Sequence, residues 1–209
     1  AERIAAGVDF WVEHRARLAA IEQKTGVSQH VIVGILGAET YFGRITGRYR
    51  VVDALATLAF DYPPRSTFFR AELEQFLLLA REEQVDVATV QGSYAGAMGS
   101  AQFMPRSYRA YAVDGDGDDQ RDLWGSWDDV IASVANYLEK HGWRAGEPVV
   151  APAALWFPAA SGLVPGPLAP DTTVKALRDR GLAFETTLAD KAPALFIRVD
   201  GDNGPELRA

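Results

Sequence analysis

A mainly α (α+β) fold is predicted, with a helical core over residues 1–146 and a small strand-containing α/β appendage over 147–209. Three observations predict it. Apolar residues through the first two thirds of the chain recur at three- and four-residue spacing, the period of a helix face. These stretches end at helix stop signals, Gly26, Gly43 and Gly142 among them. Beyond Trp143 the texture changes: Pro and Gly crowd between residues 147 and 170, and residues 194–199 alternate as a strand does. The boundary is placed near Gly146, and the appendage reads as incomplete.

Taken in order, residues 3–24 read as one amphipathic helix, with Ile4, Val8, Trp11, Val12, Leu18 and Ile21 on or near one face. Thr25 and Gly26 end it, and Ser28 is placed to cap the next helix. Asp53 is read as the cap of a short helix with the sequence ALATLAF, which Pro63 and Pro64 stop from continuing. Over residues 66–83, Phe69, Leu73, Phe76, Leu77 and Ala80 form a core stripe, with Glu72, Glu74, Arg81 and Glu82 on a solvated face. The small-residue run GSYAGAMGSAQFMP, 92–105, allows backbone to come close to a ligand or another helix, and tight packing is its plainer explanation. A helix over residues 127–141 is entered through Ser126, with Asp129 in capping-box position, and closed by Gly142. A short helix over 172–181 and a strand ending in a turn at Asp200 and Gly201 complete the appendage.

Composition excludes several classes. With 48% hydrophobic and 11% aromatic residues in 209, the chain builds a full core and is not disordered. No apolar run approaches the ~18 residues of a membrane span. The N-terminus lacks a charged-then-apolar leader, so an export signal is expected to have been removed or to lie outside these residues. The absence of Cys removes disulfides, thiolate metal sites and Cys nucleophiles. A net charge of −7 argues against a nucleic-acid partner and suits an uncharged or peptide-bearing ligand.

The segment VIVGILGAETYFGRITG, residues 31–47, carries the candidate chemistry. Ile32, Ile35, Leu36 and Glu39 share helical spacing, which sets a carboxylate at the end of an apolar stripe. Burial there would raise its pKa and make Glu39 a proton donor near neutral pH. With Phe42 one turn on and Gly43 ending the helix, Glu39 is expected to project into an aromatic-edged cleft; the plainer alternative is a helix-end Glu that reaches solvent or pairs with Arg44. His14, His30 and His141 match no metal or triad spacing and read as surface or helix-end residues, and Met98 and Met104 as packing.

Four blocks, AETYFGRITG, DALATLAFDYP, GSYAGAMGSAQFMP and SVANYLEKHGW, closely resemble the lytic murein transglycosylases of the B type, in order and in spacing. The resemblance runs over most of residues 1–143 and weakens after 150. It implies a lysozyme-like helical core, cleavage of bacterial peptidoglycan, Glu39 as the single catalytic acid/base, and Ser93, Gln102, Phe103 and Tyr137 lining the sugar groove. Arg65 matches the second of two basic residues that the family carries after its Tyr-Pro; Pro64 stands where the first would be. The family continues past this point and has sequence before Ala1, so residues 1–209 are expected to encode one wall of the groove. The resemblance also implies glycan strands as partner, a monomer, a periplasmic or cell-envelope location, and no cofactor in the chemistry.

In the acidic run, Asp114, Asp116, Asp118, Gln120 and Asp122 fall at positions 1, 3, 5, 7 and 9 of an EF-hand-like pattern, with oxygen ligands suited to a structural Ca²⁺. Asp119 replaces its Gly at position 6 and Gly125 its Glu at position 12. The family's longer loop implies a closing carboxylate from the next helix, Asp128 or Asp129, and Asp129 is taken as the ligand. A solvated acidic turn is the alternative. Against the enzyme stand two rivals, a peptidoglycan-binding module without turnover and a calcium-binding interaction protein.

Overall fold

The computed structural model describes residues 2–155, 170–201 and 204–209, which belong to two compact units, Ala1–Ala145 and Gly146–Ala209. In the first unit, α1 (Glu2–Glu13), α2 (Arg15–Thr25), α3 (Gln29–Thr40), α4 (Val51–Phe60), α5 (Ser66–Glu82), α6 (Pro105–Tyr111) and α7 (Trp127–Lys140) enclose one core. Phe10, Leu18, Ile32, Leu36, Leu55, Phe76, Met98, Tyr108 and Ile131 are among its buried side chains. The strand content of this unit is one two-residue antiparallel pair, β1 (Tyr49–Arg50) with β2 (Gln91–Gly92), in the register Tyr49 to Gly92. Among the described residues no helix is long and apolar enough to cross a membrane.

The single helix expected over residues 3–24 is two. It breaks at His14, whose backbone (φ −101°, ψ 16°) leaves the helical region between α1 and α2. The buried line is also a different one. Ala6, Phe10, His14 and Leu18, each four residues apart, face the core, whereas Ile4, Val8 and Val12 are exposed. Of the two roles expected for His14, surface or helix end, it has the second: it stands at the N-cap of α2 but is buried, packed on Phe10 (ring centroids 4.3 Å apart) and Trp127 (5.5 Å).

Burial pushes the His14 pKa below its usual value, reinforced by Arg17 and opposed by Glu13 and Asp128. The unfolded chain therefore binds a proton that the folded chain resists. Stability should be full above the ordinary His value of about 6.5 and fall as the pH drops through it toward the lowered folded value. Urea titrations at a series of pH values check this; in His14→Phe, which keeps a ring in the same aromatic setting, that part of the pH dependence should vanish.

Elsewhere the helices follow the punctuation more closely. Gly26 takes the left-handed conformation (φ 71°) after α2, and its N–H donates to the Glu22 carbonyl. Ser28 stands at the N-cap of α3 without a side-chain capping bond. Asp53 is not the cap of α4. It lies in the first turn and accepts from Arg50 Nε at 2.6 Å. On α5, Leu77 is exposed, and Glu72, expected on the solvated face, is 2% exposed. The Arg106 N–H donates to Glu72 Oε2 at 2.9 Å, so a carboxylate from α5 caps the start of α6. At α7 the Ser126 hydroxyl accepts from the Asp129 N–H as expected, and Gly142 follows with φ 88°.

The second unit contains a four-stranded antiparallel sheet in the order β5–β3–β8–β7: β3 is Pro152–Leu155, β5 Leu182–Phe184, β7 Ile197–Gly201 and β8 Gly204–Arg208. A short pair, β4 (Thr172–Thr173) with β6 (Pro193–Ala194), leads into and out of the α8 region, Val174–Asp179. Leu177, Leu182 and Phe196 form the buried cluster. Most of the Pro- and Gly-rich stretch between residues 147 and 170 lies outside the described residues. The turn expected at Asp200 and Gly201 is not found there: both residues belong to β7, which continues pairing with β8 as far as Gly201 and Gly204.

Candidate active site

Three residues of α3 four apart, Ile32, Leu36 and Thr40, are 0% exposed, and they form the line that faces the core. Ile35 and Glu39 occupy the neighbouring line. The expected burial of Glu39 therefore fails: the apolar stripe ends in Thr40, and Glu39 is exposed. The helix stops through three successive left-handed residues, Tyr41 (φ 51°), Phe42 (φ 58°) and Gly43 (φ 75°). For the two non-glycine residues this costs roughly 1–2 kcal/mol each. Packing offsets it. Phe42 stacks on Phe10 (5.1 Å) and lies against Gly7 and Gly37, while Arg44 and Arg3 sit over the Tyr41 ring at 4.7 and 5.2 Å. Phe42 thus turns away from Glu39 and does not edge its cleft.

Glu39 lines a cleft of about 360 Å³ whose aromatic walls come from elsewhere in the chain. Ile35 and Glu39 are contributed by α3, Ala101, Gln102, Phe103 and Met104 by the segment before α6, Ser107 by α6, and Val134, Tyr137 and Leu138 by α7. Phe103 and Tyr137 are in ring contact at 5.6 Å, and Tyr137 is in turn held by Tyr111 (5.2 Å) and His141 (4.0 Å, stacked). Apart from Glu39, the lining residues that carry polar side-chain groups are Gln102, Ser107 and Tyr137. Met104 is a wall of this cleft as well as a packing residue, and the spacing of residues 134–138 on α7 carried no signal for it.

The 92–105 segment is a set of tight backbone reversals. Met98 and Phe103 exchange N–H to carbonyl bonds in both directions, at 2.9 and 3.0 Å. Gln102, itself at φ 50°, donates from Nε2 to the carbonyls of Thr46 (3.1 Å) and Gly99 (3.0 Å), which ties the segment to the loop after α3. Two carbonyl partners fix which end of the amide is nitrogen and turn Oε1 the other way. Ser93 does not line the cleft; its hydroxyl accepts the N–H groups of Ala95 (3.2 Å) and Ala97 (3.0 Å) and shapes the turn. Gly99 (φ 66°) approaches the backbone of Leu123 so closely that an added Cβ would collide with its carbonyl. Gly99→Ala should therefore destabilise the first unit by about 2 kcal/mol or more, measured by chemical unfolding.

Arg65 lies outside this cleft. Its guanidinium covers the Phe68 ring at 4.4 Å and Phe69 at 5.2 Å, on an exposed surface. In the acidic run, carboxylate oxygens of Asp114, Asp116 and Asp129 lie within 4.8 Å of one another. Asp128 is not part of this group; it pairs with Arg17 at 2.5 Å. Asp118 is also outside it, and its Oδ1 accepts the N–H of the exposed Gln120. Asp129 is 1% exposed, and its two oxygens accept the N–H groups of Gly115 (2.7 Å) and Asp122 (2.6 Å).

Burial pushes the Asp129 carboxyl up, against the pull of those two N–H groups, and the charges of Asp116 and Asp114 push the same way. At Asp114 the N–H of Gly117, with those of Asp119 and Asp118, holds the carboxyl below its usual value. Three crowded hard-oxygen groups, one of them buried, form a donor set that fits Ca²⁺. Asp119 supplies the left-handed residue (φ 67°) where an EF-hand has Gly.

Comparison with known proteins places these features in a family. The chain is 44% identical over 198 residues to the membrane-bound lytic murein transglycosylase B of Escherichia coli, covering 95% of this chain and 54% of that protein. It therefore spans about half the length of this curated relative. Among solved structures, the soluble lytic transglycosylase SltB1 of Pseudomonas aeruginosa matches with a TM-score of 0.91 and 51% identity, over 99% of this chain and 68% of that one. The Escherichia coli lytic transglycosylase Slt35 in complex with calcium matches with a TM-score of 0.86 and 42% identity, over 99% and 65%. All of residues 1–209 match the family described as the transglycosylase SLT domain, and the chain belongs to that family.

Proposed function

We propose that this chain is a lytic transglycosylase that cleaves the β-1,4 bond between N-acetylmuramic acid and N-acetylglucosamine in peptidoglycan, leaving a 1,6-anhydro end. The observation that carries the proposal is Glu39: among the described residues that line the cleft it is the one carboxylate. Most glycosidases need two, one as acid and one as nucleophile or base. A single carboxylate suffices when the substrate brings its own nucleophile. Protonated Glu39 gives its proton to the glycosidic oxygen, an oxocarbenium-like centre forms at C1, and the C6 hydroxyl of the same sugar attacks it. Glu39 then takes the hydroxyl proton, which returns it to its starting state, and no water is consumed.

Gln102, Phe103 and Tyr137 share the cleft with Glu39 and are assigned to glycan binding, the rings for sugar faces and the Gln102 Oε1 for a sugar hydroxyl or N-acetyl N–H. Ser93 and Arg65 are assigned more distant contacts. Asp114, Asp116 and Asp129 would hold a structural Ca²⁺, which takes no part in the proton transfers. Asp118 and Gln120, expected from the acidic run as further ligands, are assigned no direct place in that group. The proposed setting is the periplasm or cell envelope, and the partner is a glycan strand bound by a single copy of the chain.

One observation favours a second reading. Glu39 is open to water, so the dry surroundings of a general acid are left to the bound glycan to supply, and a peptidoglycan-binding module without turnover would have the same cleft. Incubation with purified sacculi separates the two. Soluble anhydro-muropeptides support the enzyme; tight retention on sacculi with no soluble product supports the module.

A further inference from the structure

We propose that Thr40 is the positioning residue for Glu39, an inference that rests on the proposed function. Thr40 ends the buried line of α3 and is 0% exposed. Its hydroxyl donates to the Ser100 carbonyl at 2.9 Å and accepts the Gly43 N–H at 3.0 Å. One side chain thus pins the left-handed turn after Glu39 and joins α3 to the segment that carries Gln102 and Phe103, which line the same cleft. The Leu36 carbonyl, at 3.4 Å, is a weaker third partner for the hydroxyl.

The Ser100 backbone is held from both sides: its N–H donates to the Leu123 carbonyl at 2.8 Å while its carbonyl takes the Thr40 hydroxyl. A second stitch, Gln102 Nε2 to the Thr46 carbonyl, runs parallel to the first. The Thr40 hydroxyl is the link that is buried and adjacent to Glu39, and with the Gln102 stitch it sets the separation of Glu39 from the Gln102 and Phe103 wall. In reactions limited by positioning, an error near 1 Å costs on the order of 10²-fold in rate.

The test compares Thr40→Val, which keeps the shape and loses the hydroxyl, with Thr40→Ser, which keeps the hydroxyl. For release of anhydro-muropeptides, Thr40→Val should lose about 10- to 100-fold in kcat per folded molecule, with KM changed less than about threefold, and Thr40→Ser should recover most of the loss. Binding to sacculi, measured in a Glu39→Gln background to prevent turnover, should be unchanged by Thr40→Val. A Thr40→Val enzyme with wild-type kcat, a serine variant as slow as the valine one, or a loss confined to KM would each overturn the proposal.

Should Thr40→Val not fold, hydrogen exchange on the wild type decides. The Gly43 amide should be as protected as that of Phe103, and free exchange at Gly43 would refute the clamp. Wild-type protein that shows this protection and yet releases no product would refute the proposed function and leave the clamp standing.

Discussion

Glu39→Gln should release anhydro-muropeptides at least ~10²-fold more slowly than the wild type while still binding glycan strands. Gln is nearly isosteric with Glu and keeps its hydrogen-bonding reach, so the cleft formed with Gln102, Phe103 and Tyr137 should stay intact. What Gln lacks is the proton cycle: it neither protonates the leaving oxygen nor accepts the proton of the C6 hydroxyl. Because Glu39 is exposed, its loss removes no buried contact, and the melting temperature should hardly move. Rate loss with unchanged stability and binding separates a chemical role from a structural one. Near-normal turnover by Glu39→Gln would mean that another carboxylate does the work.

A comparably large effect is expected on stability at the acidic cluster. Asp114, Asp116 and Asp129 repel one another, and a cation that binds only the folded chain relieves this and stabilises by mass action, about 2.7 kcal/mol when present at a hundredfold its Kd. For a unit of this size that is a rise of roughly 5–10 °C in melting temperature with Ca²⁺ against a chelator. Asp129→Ala should abolish the rise. It should also lower the chelator baseline by about 3 kcal/mol, because the N–H groups of Gly115 and Asp122 lose their acceptor. Asp114→Ala should abolish the rise with a smaller baseline loss, since Asp114 is less buried. Equal melting temperatures with and without Ca²⁺ in the wild type would refute the cation site.

Helix ends marked by local chemistry were legible in the sequence. Ser126 and Gly142 bracket α7, and Gly26 ends α2, because capping depends on neighbours one to four residues away. Features that depend on distant partners were not legible. Glu72 is buried because the first turn of α6, 34 residues on, needs an acceptor. The break at His14 and the exposure of Ile4, Val8 and Val12 follow from which line of α1 the core selects, and apolar residues lie on more than one of its faces. The two-residue strands and the three-residue β5 are too short for a period-2 signal.

The site divides the same way. Glu39, Gln102, Phe103 and Tyr137 were named from the sequence and line one cleft. The burial of Glu39 was inferred from its spacing with Ile32 and Leu36, yet in a helix the residue four after Leu36 is Thr40. A one-residue shift, 100° around the axis, moves a side chain from the core to the cleft. Of the acidic run, Asp114 and Asp116 converge with Asp129 while Asp118 lies outside the group, and Asp128 is drawn to Arg17, whose approach no local pattern encodes.

Whether a single carboxylate acts with a nucleophile from the substrate is decided by digesting purified sacculi in H₂¹⁸O and analysing the products by mass. Muropeptides with 1,6-anhydro ends, lighter by one water than hydrolysis products and free of ¹⁸O at the cleaved bond, should be released by the wild type and be nearly absent with Glu39→Gln. Reducing ends that carry ¹⁸O would contradict it, because they would show that water, and not the C6 hydroxyl, attacks C1.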